Sequence, residues 1–303
     1  VFVIFGAAGN VGRTSAAALR RAGREVRAVV HSKGQGAPLA AIGCEIVVAD
    51  LNDAASVART IDGAHAVQML CPLPRAHADP AAAMRQMIDV AVGALRAAAP
   101  PRVLALSDYG AEVPGDTGIT TLFHYLETQL RGLESQLTFL RSAEHMHNWA
   151  RVLPMALSQG VLPSLHHPLD KLFPTVAAQD VGMLAAGLLL DAAADTRVTP
   201  GSPRVVSIES ERRVSALDVA RTLSEVSGRP VVAHAVPRAE WAGVLRQAGL
   251  GELHARLITD LYDAHNAGRI DVEAQVGERR FGTTSLAQVL AAMLPRATET
   301  AAR

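Results

Sequence analysis

The stretch Val1-Phe2-Val3-Ile4-Phe5-Gly6-Ala7-Ala8-Gly9-Asn10-Val11-Gly12 decides the fold. Its opening run of Val, Ile and Phe has no polar alternation, the pattern of a parallel strand buried on both faces. Residues 13–21 are Ala-rich and favour a helix. The three glycines therefore fall at a strand-to-helix turn. Gly6 lets the chain turn sharply out of the strand. Gly9 has no Cβ, so backbone can approach a pyrophosphate. Gly12 lets helix and strand pack closely. The first helical turn brings unpaired N–H groups and the positive dipole end, which suit a phosphate. The spacing is G-x-x-G-x-x-G, not the common G-x-G-x-x-G. It is the strand and helix on either side that point to dinucleotide binding; a tight turn without ligand is the plain alternative. The cofactor-binding residues expected here are Gly6, Ala8, Gly9, Asn10, Val11 and Gly12.

Outward from that turn, strands alternate with helices. Strands are expected at 25–31, 44–49, 64–70, 102–106 and 136–141. Helices are expected at 37–42, 53–61, 80–99 and 122–132. Asp53 caps the second of these, and Pro100-Pro101 ends the third. Such alternation argues for right-handed βαβ units and a doubly wound parallel sheet, an α/β Rossmann fold. After about residue 142 the order changes. Residues 145–160 read as helical and 161–174, rich in Pro, Leu and His, as irregular. Helices follow at 180–191, 215–227, 238–248, 252–266 and 287–294, with short strands at 205–208 and 231–236 and a frayed tail. The expected organisation is a nucleotide domain of residues 1–150, rejoined by 175–210. A smaller C-terminal α+β lobe, 151–174 with 211–275, is expected to carry substrate or partner specificity.

Composition narrows the function classes. Lys and Arg number 29 and so do Asp and Glu, giving no electrostatic reason to expect nucleic acid or an anionic membrane. The apolar run at 181–190 is too short to span a bilayer. The first residue already reads as strand, so no secretory signal is visible. Cys44 and Cys71 are the only cysteines, both on expected strands, which fits a reducing cytoplasm rather than a disulfide framework.

The residue ending the second strand chooses between nicotinamide cofactors. A carboxylate there would bind the adenosine 2′-hydroxyl and repel a 2′-phosphate. Here stand His31, Ser32 and Lys33, with no carboxylate and with one cation for a phosphate, so NADP(H) is favoured over NAD(H). Asp50 closes the third strand, where it either reaches the adenine amino group or merely caps a turn. Leu51 behind it, Leu70, Cys71 and Pro72 at the end of the fourth strand, and Ser107 after the fifth complete the cofactor-binding candidates.

Several segments together resemble the NmrA-like branch of the atypical short-chain dehydrogenase/reductases. They are the glycine loop, Val29-Val30-His31, the run 47–53, Leu106-Ser107-Asp108-Tyr109-Gly110-Ala111, Glu127 with Leu130-Arg131, Leu137-Thr138-Phe139-Leu140-Arg141, and Asn148. Ala178-Gln179-Asp180-Val181-Gly182, Gly228-Arg229-Pro230-Val231, Glu240-Trp241 and Gly268-Arg269-Ile270 extend the match over nearly the whole chain. The resemblance implies an NAD(P)-binding Rossmann domain, a small C-terminal lobe and a cleft between them. It also implies either an NADPH-dependent reductase of quinones, azo compounds or triphenylmethane dyes, or a nucleotide-binding redox sensor acting through a protein partner. An epimerase-like relative is a third reading.

The Tyr-x-x-x-Lys of standard short-chain dehydrogenases is missing, because Tyr125 is followed four residues later by Gln129. His124 and Tyr125 remain as the catalytic candidates. Tyr109, His145, Met146 and Trp149 are the substrate-pocket candidates. Arg141 is expected to pair with Glu127. The pairs His145/His147 and His166/His167 lack the further ligands a metal needs, and no metal is expected. Without a Tyr–Lys acid, a delocalised acceptor such as a quinone is the reachable substrate, reduced by direct hydride transfer. A homo-oligomer or a regulatory protein is a further possible association.

Overall fold

The computed structural model describes residues 1–74, 76–191, 202–275 and 277–295. The expected frayed tail beyond residue 295 and part of the returning segment, 192–201, lie outside the described residues. In chain order the first half runs β1 (Phe2–Ile4), α1 (Asn10–Arg21), β2 (Val26–Val30), α2 (Ala37–Ala41), β3 (Glu45–Val48), α3 (Ala54–Ile61), β4 (Ala66–Met69), α4 (Pro80–Ala98), β5 (Arg102–Asp108), α5 (Thr120–Leu130) and β6 (Gln136–Ser142). The second half runs β7 (Glu144–His145), α6 (Leu153–Gln159), β8 (Val161–Ser164), β9 (Thr175–Val176), α7 (Ala178–Leu190), β10 (Arg204–Ser210), α8 (Ala216–Ser227), β11 (Val232–Ala235), α9 (Trp241–Gln247), α10 (Glu252–Asn266), β12 (Glu278–Gly282) and α11 (Leu286–Met293).

The main sheet has eight strands in the order β12-β10-β6-β5-β4-β1-β2-β3. Every pairing within it is parallel. Strands β2 and β3 lie on one side of β1 and β4 to β6 on the other. The direction of winding therefore reverses between β1 and β4, where open α/β sheets bind ligands beyond the strand carboxyl ends. Two apolar layers sandwich the sheet. One joins Ile4, Leu19, Leu104, Leu140 and Val181, and packs α1 and α7. The other joins Phe5, Ile61, Ile88, Leu126 and Phe139, and packs α3, α4 and α5. Helices α1 and α7 touch backbone to backbone: a Cβ on Gly182 would lie 2.5 Å from the Val11 carbonyl oxygen. Ser15 Oγ donates to the Gly182 carbonyl at 3.1 Å.

Local chemistry accounts for the helix starts. Asp53 accepts from the amides of Ala55 and Ser56, Asp79 from Ala82, and Ser215 and Ser285 form capping boxes with Asp218 and Gln288. Three departures from the expected elements concern the second half. Residues 145–160 are not one helix: β7 is followed by a 3-10 segment, Met146–Arg151, and only then by α6. Pro154 stands in the first turn of α6, where its missing N–H costs nothing, so the helix begins there. Residues 161–174 are not wholly irregular, because β8 pairs in parallel with β11 to form a small separate sheet. The charged run at 278–282 becomes β12, an edge strand whose exposed Arg279 and Arg280 hid it from an apolar-pattern reading.

A third apolar cluster joins Met146, Trp149, Leu153, Leu162, Leu223 and Leu290, the core of the smaller lobe. That core takes in the 3-10 segment and α11 beside the ranges expected of the lobe. Among the described residues no helix is long and apolar enough to cross a membrane. Cys44 and Cys71 are both free and buried.

Candidate functional site

The turn out of β1 is built as a phosphate cradle. Gly6 has φ +70°, a region L side chains rarely adopt. Gly9 is the N-cap residue of α1, and no side chain caps that helix. The Gly9 amide donates to the Gly6 carbonyl at 2.9 Å. Among the described residues no side chain caps the amides of the first turn of α1, as an anion site requires. The glycines differ in role. A Cβ on Gly12 would lie 2.2 Å from the Gly6 carbonyl oxygen and 2.8 Å from Ala7 Cα, backbone that cannot step aside. A Cβ on Gly9 would meet only the Gly6 oxygen, at 3.3 Å, so its outer face is open. The Asn10 side chain accepts a hydrogen bond from Arg13, an exposed cation beside the loop that the sequence reading had not singled out. Ala8 is half-buried between them. The cradle fits a pyrophosphate.

Further along the same edge, His31, Ser32 and Lys33 follow β2 and are all exposed. Asp50 follows β3, and its Oδ1 accepts from the Asn52 amide and side chain, both at 2.9 Å. Its carboxylate therefore serves its own turn. Leu51 packs against the α3–α5 layer. Cys71 is fully buried there, and burial pushes its thiol up to about 12. Pro72 is exposed next to it.

Beside the cradle lies a partly open cavity of about 230 Å³. Val11, Leu70, Leu106, Ile119, Phe123 and Leu261 supply apolar wall, and Ser107, Asp108, Glu144, His145, Tyr262 and His265 supply polar wall. It gathers the carboxyl ends of β4, β5 and β6, the start of α1, the 3-10 segment after β7, and α10. Helix α10 is held close by Gly118, φ +59°, where a Cβ would lie 2.2 Å from the Leu257 carbonyl oxygen.

The polar wall is an ordered network. His166 Nε2 lies 2.9 Å from Glu144 Oε2, and Tyr262 Oη donates to Glu144 Oε1 at 3.3 Å. His166 stacks on Phe173 with ring centres 3.6 Å apart. Burial works to raise Glu144, but the His166 ring, its hydrogen bond, His265 and the Tyr262 hydroxyl together hold it down at about 2. Burial lowers His145 to about 4, aided by His147. Burial likewise lowers His265 to about 4, against the pull of Glu144. Burial and the Glu144 charge push the Tyr262 phenol well above its usual 10. Asp108 behaves oppositely: burial, reinforced by Glu144 and Glu112, raises its carboxyl to about 7 despite a hydrogen bond from Thr120 Oγ1 at 3.0 Å.

The expected catalytic pair lies away from this cavity. His124 and Tyr125 do not line the cavity. On α5 each residue turns about 100° from the last, and it is Phe123 that faces inward. His124 Nδ1 lies 2.8 Å from the Ala111 carbonyl oxygen, in a separate hollow with Arg141 and Glu273. Tyr125 Oη donates to Asp89 of α4 at 2.7 Å on the outer surface, and that bond raises the phenol. Of the four substrate-pocket candidates only His145 lines the cavity, with Nε2 3.2 Å from Ser142 Oγ. Tyr109 is buried elsewhere and donates to Glu209 at 3.3 Å. Met146 and Trp149 pack into the core of the smaller lobe. Ser107 lines the cavity but donates to Glu127 Oε1 at 2.6 Å. Glu127 receives Arg141 in bidentate fashion, at 2.8 and 2.7 Å, and Arg141 also reaches Glu112 and Glu273 at 3.0 and 2.6 Å. The expected Arg141–Glu127 pair is present as a structural unit. Asp108, Glu144, Tyr262 and His265 escaped the sequence reading, because no local spacing links residues that α10 and β5 bring together from opposite ends of the chain.

A glycine cradle at the winding reversal of a parallel sheet, with a cavity beside it, defines a Rossmann dinucleotide-binding protein. Residues 6–192 match the family model described as NAD(P)H-binding, and the chain belongs to that family. Its fold is that of the NmrA-like atypical short-chain dehydrogenase/reductases. The triphenylmethane reductase of Citrobacter sp. is 19% identical over 96% of this chain and 98% of its own, with a TM-score of 0.77. The NADPH-dependent quinone oxidoreductase of Escherichia coli, solved with NADPH, is 20% identical over 97% and 99%, with a TM-score of 0.78. A mutant NmrA is 18% identical over 96% and 90%, with a TM-score of 0.63. Comparison by sequence with curated proteins finds no match.

Proposed function

We propose that this protein is an NADPH-dependent reductase that passes hydride directly to a compact, quinone-like or otherwise conjugated acceptor. The observation that carries this reading is the partly open, largely apolar cavity beside the first turn of α1. At about 230 Å³ it falls just below the roughly 300–1,000 Å³ of common ligand pockets, so it suits a small planar molecule. Bound nucleotide would supply the hydride. The chain's residues supply the rest. The first-turn amides and Gly9 hold the pyrophosphate, and Val11, Leu70 and Ser107 border the place where the nicotinamide meets the cavity. The exposed Lys33 and the absence of a carboxylate after β2 favour a 2′-phosphate over a bare hydroxyl. Apolar walls exclude water from the acceptor. The likeness in fold to reductases whose acceptors are dyes and quinones supports the acceptor class. The test is NADPH oxidation, followed by absorbance, against a panel of quinones, triphenylmethane dyes and simple ketones. Turnover of quinones or dyes is expected. Tight NADPH binding with no turnover would replace this reading by that of a nucleotide sensor.

A further inference from the structure

Hydride addition to a neutral conjugated carbonyl leaves negative charge on oxygen, and a positioned proton stabilises it. Neither His124 nor Tyr125 reaches the cavity to provide one. The groups that face the cavity come from several elements: Glu144 and His145 from β7, Arg151 from the 3-10 segment, Tyr262 and His265 from α10, and Asp108 at the end of β5, with Glu112 nearby on the loop after it. Most have no proton to give near neutral pH. Glu144 is an ionised acceptor, occupied by His166 and Tyr262. His145 and His265 are neutral rings. Tyr262 holds its proton tightly. Arg151 cannot act as an acid.

We propose that Asp108 is the proton donor of this cavity, delivering its carboxyl proton to the oxygen of a neutral carbonyl-type acceptor; the assignment rests on the reductase reading above. Two geometric facts and one electrostatic one place it. Asp108 lines the cavity with Val11 and Leu70, the residues nearest the nucleotide cradle. Thr120 Oγ1, on the first turn of α5, donates to Oδ2 at 3.0 Å and fixes the carboxyl's orientation. Glu144, across the cavity, disfavours a second negative charge. Desolvation by the surrounding protein raises Asp108 to about 7, so a protonated fraction persists near neutral pH. In the step itself, the acceptor takes a hydride, with its two electrons, from the reduced nicotinamide and one proton from Asp108. The carboxylate left behind recovers its proton from water, and a hydroquinone leaves.

Acceptor chemistry supplies the control. A triphenylmethane dye is a cation, so hydride addition gives a neutral product and needs no proton. Asp108→Asn keeps the shape and leaves Thr120 a partner. The ratio of dye to quinone reduction should rise about 100-fold in that variant, the lower end of what general acids contribute. In the unmodified protein, kcat/KM for the quinone should fall as pH rises through about 7, with a solvent deuterium isotope effect absent from dye reduction. Difference infrared spectra between pH 5 and 9 should show a protonated-carboxyl band that Asp108→Asn removes. An unchanged ratio, or a flat pH profile in the unmodified protein, overturns the assignment while leaving the reductase reading in place. Failure of the unmodified protein to reduce any acceptor overturns both.

Discussion

Replacing Gly12 by Ala separates the two demands on the glycine loop. The added methyl would sit 2.2 Å from the Gly6 carbonyl oxygen and 2.8 Å from Ala7 Cα. Normal carbon–oxygen contact is about 1 Å longer than the first of these, so α1 or the loop must move by that much. Neither moves freely. Helix α1 is locked against α7 at Gly182, and the loop is tied to the sheet by the Ala7 amide donating to the Val29 carbonyl at 3.1 Å. The cost should reach the upper end of the overpacking range, about 3 kcal/mol. At roughly 2–4 °C per kcal/mol, that lowers Tm by about 6–12 °C. Gly9→Val is the counterpart. Gly9 has φ −74° and ψ 170°, which any residue adopts, and its Cβ has a single tight contact. Gly9→Val should leave Tm within about 2 °C and abolish NADPH binding by filling the pyrophosphate's place. Thermal unfolding by circular dichroism and calorimetric titration with NADPH check both. A Gly12→Ala protein with unchanged Tm, or a Gly9→Val protein that binds NADPH normally, refutes the division of roles.

His31→Asp should reverse the expected preference for NADPH over NADH, read from calorimetric titration of both; equal affinities in the unmodified protein would remove the basis for it. Arg141→Met strips the buried Glu127 of its bidentate partner and should cost about 3–5 kcal/mol in urea unfolding. Joint replacement of His124 and Tyr125 by Phe should leave quinone reduction within about twofold, because neither reaches the cavity; the pH-independent rate measures it. Stability should fall as pH drops from about 6.5 toward 4. His145 and His265, lowered to about 4, bind protons in the unfolded chain before the native one. Asp108, raised to about 7, contributes stability that is present at low pH and lost as pH rises through 7. It therefore offsets one of the two histidines, and Asp108→Asn should steepen the acid fall measured by urea unfolding at pH 7, 6 and 5.

The first half of the fold could be read from sequence because local and global signals agree there: apolar strands, capped helices and a glycine at each sharp turn. The second half resisted for identifiable reasons. β12 is an edge strand of Glu278, Arg279 and Arg280, paired on one side only, so its residues need not be apolar. The helix expected over 145–160 shares its apolar residues with a core that does not require a helix, and Pro154 delays the helical start. At the site, the glycine loop was legible because its spacing is a backbone requirement. The residues that line the cavity were not, since an amphipathic pattern on α5 leaves open which polar residue faces it. Asp108 stands between Ser107 and Tyr109, and what sets it apart is its place in the cavity wall with Glu144, which the crossing from β6 to β7 brings there.

Gly118 fixes the wall of the cavity by main-chain contact, with Leu257 O and Leu261 N both within 2.5 Å of where a side chain would begin. That contact sets how closely α10 approaches the loop before α5, while Ile258, Leu261, Tyr262 and His265 of the same helix line the cavity. Ile258 and Leu261 are thereby freer to vary than Tyr262, which also bonds Glu144. One substitution on the inner face of α10 alters the shape offered to an acceptor, while the nucleotide cradle on the far side of the cavity keeps its geometry. The lining of the cavity can therefore change at such a position while the main-chain contact that seats α10 stays in place.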